Sequence, residues 1–255
     1  MKVRLIRNAT LKLNVAGRTI LIDPFFAPKH SLSSYAGRSR NPLVDLPVDP
    51  DEILDGVELV IVSHLHSDHF DSVAKSLVPK HLPLICQPGD EDKIRTSGFE
   101  NVTPLLDQID WEGINLTRRE GRHGFGSVVE KMGSVIGFSL EARGEPTFYW
   151  SGDTVFYPAV EETIRTTNPD IIVIHPCGAL WQNDPIAMDA EQAVAVCKAA
   201  PHAVVVATHL DTLDHATVSR GDLRKHAQSR GISPEQLRIP DDGQILEFSP
   251  VRQTA

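Results

Sequence analysis

Residues 58–73, ELVIVSHLHSDHFDSV, set His64, His66, Asp68 and His69 within six positions directly after an apolar run. Neutral imidazole nitrogen and carboxylate oxygen are the ligand types of divalent zinc, manganese, iron or nickel. In an extended segment side chains two apart point the same way, so His64 and His66 converge on one point, while Asp68 and His69, past a turn, face a second. Asp71 then suits the N-cap of a helix over SVAKSLV. A lone histidine here would read as an ordinary surface or core residue. A cluster this dense serves no packing purpose, and metal ligation explains it.

Those side chains need elements to carry them. Four apolar runs end in polar, ligand-type residues: ELVIVSHLHSDH, TFYWSGDT, DIIVIHPCG and AVVVATHLD, which adds Asp153, His175 and His209 to the candidates. Groups at the C-terminal ends of sheet strands are where α/β folds place their chemistry. The opening residues read as a β-meander, VRLIRN, TLKLNV and TILIDP, with Ala16 and Gly17 turning the second strand into the third. Residues 25–50 lack periodicity and contain four prolines, the pattern of a functional or disordered loop. In DAEQAVAVCKAA, Asp189 and Gln192 suit a capping box, and Ala190, Ala193, Val194 and Cys197 share one face. A helix is expected from Ser219 to Arg230, stopped by Gly231, and a shorter one after Tyr157-Pro158.

The chain has 255 residues, 41% of them hydrophobic and 23% charged, which fits one domain over 1–255 with a well-formed core. Its formal charge of -9 repels polyanions at long range and counts against nucleic acid as a partner. No apolar stretch reaches the 18 residues of a membrane span, and the start of the chain, MKVRLIRNATLKLN, alternates instead of forming a leader, so a cytoplasmic location is expected. Cys86, Cys177 and Cys197 are odd in number and far apart, which supports neither a disulfide framework nor a metal knuckle.

The run SHLHSDHFD carries the H-x-H-x-D-H signature and resembles the metallo-β-lactamase superfamily. The resemblance extends from about Thr19 to Asp211. It implies an α/β fold, a four-layer αββα sandwich of two stacked mixed β-sheets flanked by helices, and a site for one or two metal ions. By that resemblance His64 and His66 match the first-site pair with His123, in EGRHGFG, as third ligand. Asp68 and His69 match the second-site pair, Asp153 in YWSGDT the bridging carboxylate, and His209 the last ligand. Asp23, in the family's Asp-Pro position, and Ser63 would orient ligand histidines. ILIDPFF, SGDT and the stretch from Met188 to Ala193 resemble the group that includes L-ascorbate-6-phosphate lactonase.

Two divalent ions, zinc foremost, against the charges of Asp68 and Asp153 would leave about two positive units to attract an anionic or carbonyl substrate, and would ionise a water near neutral pH. A hydrolase for a small ester, lactone, amide or phosphoester is therefore expected, with Asp68 and Asp153 at its centre; His175, at the end of a buried strand, is either a satisfied core histidine or a group that contacts substrate or protonates the leaving group. A phosphodiesterase or nuclease is the alternative, and a non-hydrolytic metal protein a third reading. Lys29, Arg38 and Arg40, on the long loop, would hold a phosphate or carboxylate, or merely be solvated. Trp181 and His215 are further pocket candidates, and Cys177 is read as a buried thiol. His30, His81, His202 and His226 read as surface residues. A homo-oligomer is left open.

Overall fold

The computed structural model describes residues 1–249. Its first sheet holds β1 (Lys2–Arg7), β2 (Thr10–Val15), β3 (Arg18–Ile22), β4 (Leu59–Val62), β5 (Leu84–Cys86) and β6 (Val102–Pro104), with the late strand β16 (Ile245–Glu247) on the far edge, in the order β16-β1-β2-β3-β4-β5-β6. The second holds β7 (Gln108–Trp111), β8 (Ile114–Glu120), β9 (Ile136–Ala142), β10 (Phe148–Trp150), β11 (Ile171–Ile174), β14 (Val204–Ala207) and β15 (Leu237–Arg238), in the order β15-β14-β11-β10-β9-β8-β7. A separate hairpin pairs β12 (Leu180–Trp181) with β13 (Asp184–Pro185).

Each sheet begins as an antiparallel meander and continues as parallel strands: β3, β4, β5 and β6 in one, β10, β11, β14 and β15 in the other. The expected hairpin at Ala16 and Gly17 is present, both at positive φ (50° and 77°), the geometry a tight turn between right-twisted strands requires.

Strand alternation sorts the core into layers. Leu59, Ile61, Ile20 and Ile22 from one sheet meet Phe148, Trp150, Ile171 and Val173 from the other. Their neighbours face outward: Val60 and Val62 pack with Ile53, Ala74 and Ile94 of α1 (Pro50–Leu54), α2 (Ser72–Leu77) and α3 (Glu91–Arg95). Tyr149, Ile172 and Ile174 pack with Val160, Val194 and Leu223 of α5 (Pro158–Thr167), α6 (Ala190–Ala199) and α7 (Arg220–Ser229). The result is the expected αββα sandwich. A short helix α4 (Val128–Met132) lies outside these layers, between β8 and β9.

Local signals hold with two corrections. Asp71 caps α2 by accepting from the amides of Val73 and Ala74, and Ser219 caps α7. Asp189 caps α6 through Gln192 N, but the Gln192 side chain accepts from Phe156 N at 2.6 Å instead of closing a capping box, because it ties α6 to the segment entering α5. The helix after Tyr157, expected to be shorter, runs ten residues like α6 and α7. Strands β5 to β8 went unread from sequence, being short or half-polar, and so did β9, although five of its seven residues are buried. Among the described residues no helix is long and apolar enough to cross a membrane.

Candidate metal centre

The parallel strands of both sheets end at one place. Beyond β3 comes Asp23; beyond β4, Ser63 and His64; beyond β10, Asp153; beyond β11, His175; beyond β14, His209. His123 arrives from the loop after the antiparallel β8. Several of these turns need unusual backbone. Asn8, Asp23 and His209 hold positive φ (58°, 46° and 63°), strain of the kind that persists where surrounding contacts over-determine it. Gly152 has φ 68°, and a Cβ there would stand 2.5 Å from Ile136 O, so only glycine lets the turn press Asp153 inward.

Two donor groups result, His64 with His66 and His123, and Asp68 with His69, Asp153 and His209, each with ligand atoms within 4.8 Å of one another. Asp153 Oδ2 stands between them, 3.2 Å from His69 Nε2, 3.5 Å from His123 Nε2 and 3.8 Å from His209 Nε2. Asp68 Oδ2 lies 3.1 Å from His209 Nε2 and 3.6 Å from His69 Nε2. Donors held ~2.0–2.1 Å from a tetrahedral zinc are roughly 3.3–3.5 Å apart, so this spacing suits chelation.

The rings are aimed from behind. His69 Nδ1 donates to Asp23 Oδ2 at 2.7 Å. Asp23 also accepts from Ser63 N at 2.7 Å and Ser63 Oγ at 2.5 Å, and that hydroxyl accepts from His64 Nδ1 at 3.1 Å. His123 Nδ1 donates to Ile186 O at 2.5 Å. With Nδ1 occupied, each ring presents Nε2 inward: His64 Nε2 is buried without a hydrogen-bond partner, and His69 Nε2 faces only the carboxylates of Asp153 and Asp68. That is an arrangement a cation completes. The further grouping of Asp23 with His64 and His69 is explained by these hydrogen bonds.

His175 is buried behind Asp153, donating from Nδ1 to Oδ1 at 2.6 Å with its ring edge-on to Trp150, and it does not line the cavity. Asn8, unread from sequence, donates to Asp68 O at 3.0 Å and accepts from His209 N at 2.9 Å, joining two ligand segments.

Burial lowers His64, helped by neighbouring His69 and His66, and burial likewise lowers His123, which keeps both rings neutral. For His69 the burial penalty is outweighed by Asp153, Asp68 and Asp23, which raise it to about 10. His209 is raised well above its ordinary range, burial again being overcome, by Asp153 and by contacts with Cys177 and Asp68. Burial opposes charge on Asp68 and Asp153, yet His69 and His209 hold both carboxyls well below the usual range. Protons on these two histidines do the balancing that a divalent ion would do.

A cavity of about 260 Å³ opens onto this centre, lined by Asp68, Asp153, His66 and His123 on its floor and by Tyr35, Trp181, Met132 and Ile186 on its walls. His215 and Lys131 also face it. Arg40 instead binds its own loop, donating to His30 O and Ser31 O at 2.7 and 2.9 Å, and Arg38 reaches Ala216 O at 3.3 Å. Neither arginine lines the cavity, nor does Lys29. Cys177 is fully buried at the margin of the apolar layer behind the second sheet, with its thiol against His209. Tyr35, Met132 and Ile186 carried no signal, since nothing local in sequence says which loop residue will face a distant site.

Residues 18–210 match the family described as Beta-lactamase superfamily domain. The chain is 39% identical to UPF0173 protein YddR of Bacillus subtilis, over 97% of this chain and all of that one. Two crystal structures are similar to it, each at 33% identity. One is of a possible metal-dependent hydrolase from Veillonella parvula, covering 97% of this chain and 99% of that one with TM-score 0.94. The other, of an isothiocyanate hydrolase from Delia radicum gut bacteria, covers 98% and 100% with TM-score 0.92. With donors from two stacked sheets meeting at the strand ends, the chain belongs to the beta-lactamase superfamily, as a metal-dependent hydrolase of the metallo-β-lactamase fold.

Proposed function

We propose that the protein holds two divalent ions, zinc foremost, and hydrolyses a small uncharged electrophile bearing a compact apolar group. The observation carrying this reading is the place of Asp153 Oδ2, which faces Nε2 of His123 in one donor group and of His69 and His209 in the other. Bound ions would supply Lewis acidity and bring the pKa of water from 15.7 toward about 7. The chain's own groups do the rest. Asp68 offers a carboxylate oxygen at the cavity floor to accept a hydrogen bond from the attacking water. His215, kept neutral mainly by burial, lines the cavity beside Tyr35 and narrows it over the donors.

The walls support the substrate class. Tyr35, Trp181, Met132 and Ile186 favour an apolar substituent, and the loop arginines point elsewhere. The similarity to an isothiocyanate hydrolase makes isothiocyanates, whose central carbon water can attack, the first compounds to test. Lys131 at the cavity favours a phosphoester as second reading.

The test is elemental analysis of the full chain after zinc or manganese loading, followed by turnover of phenyl isothiocyanate, γ-butyrolactone, p-nitrophenyl acetate and bis-p-nitrophenyl phosphate. Two equivalents of metal, lowered in Asp153→Asn, and preference for the uncharged compounds are expected. One equivalent or less in the wild type would defeat the paired-ion reading, and preference for the phosphodiester would hand the site to the alternative.

A further inference from the structure

We propose that the Tyr35 phenol is a catalytic hydrogen-bond donor to the substrate, carried over the metal centre by a loop that Asp214 gathers into shape; this rests on the hydrolase reading above.

Tyr35 lies in the long loop between β3 and α1, yet its ring forms a wall of the cavity whose floor is Asp68, Asp153 and His66. Its hydroxyl is 2.6 Å from Ser67 Oγ, and Ser67 sits between the donors His66 and Asp68 in the chain. The ring stands edge-on to His215, centroids 5.2 Å apart. The phenol thus stands at the cavity wall beside the donor segment, where a seated substrate would meet it. Burial pushes its ionisation upward, so the O–H remains available to donate.

What places it is a carboxylate far away in sequence. Asp214 accepts from the amides of Tyr35 at 2.9 Å, Ala36 at 3.2 Å, Arg38 at 3.1 Å and Ser39 at 3.2 Å. Ser34 Oγ at 2.5 Å and Asn41 Nδ2 at 2.9 Å complete the set, and Asp214 N donates back to Asn41 Oδ1 at 2.8 Å. A ring of backbone amides around an anion is a rigid construction. Asp214 belongs to the segment that presents His209 and His215, so the loop is indexed to the metal centre itself. A loop serving only to cover the core would not need its tip referenced to the ligands.

During attack by water on a carbonyl or heterocumulene carbon, negative charge develops on the departing π-bond's heteroatom, and a preorganised donor there stabilises it. In this role Tyr35 transfers no proton; its O–H exchanges the Ser67 partner for the substrate heteroatom. Removing one such donor costs on the order of 100-fold in kcat.

The experiment compares the zinc-loaded full chain with Tyr35→Phe, Asp214→Asn and the double variant. Tyr35→Phe should keep metal content and melting temperature, leave KM nearly unchanged and lose kcat on the order of 100-fold. Asp214→Asn should lose kcat as well, and the double variant should be no worse than the more damaged single one, because both act through one phenol. Calorimetric binding of phenylphosphonate, a tetrahedral oxyanion mimic, gives a readout apart from turnover and should weaken about tenfold in Tyr35→Phe. Wild-type kcat and phenylphosphonate affinity in Tyr35→Phe would overturn the proposal while leaving the hydrolase reading standing. A wild-type chain that neither turns over nor binds any probe would remove both. If Asp214→Asn does not fold, the Tyr35→Phe arm alone decides.

Discussion

Asp23 accepts a 2.7 Å hydrogen bond from His69 Nδ1, and through the Ser63 hydroxyl the same carboxylate also steadies His64. One buried acid thus sets the tautomer of a histidine in each donor group. Asp23→Asn keeps the shape but offers a single acceptor oxygen to three donors. Zinc affinity, read by chelator competition, should fall about 10- to 100-fold with little change in the far-ultraviolet spectrum. Unaltered affinity would mean that the imidazoles are aimed by packing alone.

Zinc uptake should release protons. His69, raised to about 10, holds a proton at neutral pH in the metal-free chain, and that proton must leave before Nε2 can bind a cation. The sign follows: affinity rises with pH from neutrality up to about 10 and flattens above it. Calorimetric titration in buffers of different ionisation enthalpy measures the release directly. A buffer-independent enthalpy would contradict it.

Asp214 supplies the acid-side dependence. Burial favours its neutral form, but hydrogen bonds from Ser34, Asn41 and the amides of Tyr35 and Ser39 prevail and hold the carboxyl well below the usual range. A depressed folded value contributes stability above the unfolded value of about 3.9 and loses it as pH falls toward the folded one. The melting-temperature gap between wild type and Asp214→Asn should therefore be constant from neutral to mildly acid pH and narrow only below about 4. A gap that closes already near neutrality would contradict the assignment.

Trp150 couples the core to the centre. It is fully buried between the sheets, near-parallel to Phe138, with the His175 ring edge-on at 4.8 Å. Trp150→Ala should cost about 3–5 kcal/mol in denaturant unfolding. It should also weaken zinc binding, since His175 loses its backing and Asp153 Oδ1 its aimed donor. The milder Trp150→Phe separates the two: a stable variant with weakened zinc binding supports the coupling, and one with unchanged binding opposes it.

Much of this was readable in the chain because the chemistry follows strands whose apolar runs are unmistakable. His64, His66, Asp68 and His69 share one segment after β4, and Asp153, His175 and His209 each follow a run of buried residues. His123 was harder: β8 before it reads INLTRRE, half-polar because its end lies at a wet face, so the sequence carries no comparable apolar run. Tyr35 and Asn8 were invisible for another reason. Their positions are decided by partners such as Asp214 and Asp68, 179 and 60 residues away, and no local pattern encodes a pairing of that range. The same holds for Arg38, whose carbonyl partner is 178 residues away, whereas Arg40 folds back on carbonyls of its own irregular loop, which has no periodicity to read.

The donors hang from both halves of the sandwich: His64, His66, Asp68 and His69 from the first sheet, His123, Asp153 and His209 from the second. An ion shared among them would clasp points such as Asp68 and His209, 141 residues apart, much as a long-range covalent staple would. Such a clasp restricts the unfolded chain as well as furnishing the pocket, so heat resistance should rise and fall with metal content. Neither half, made by itself, would own a complete nest.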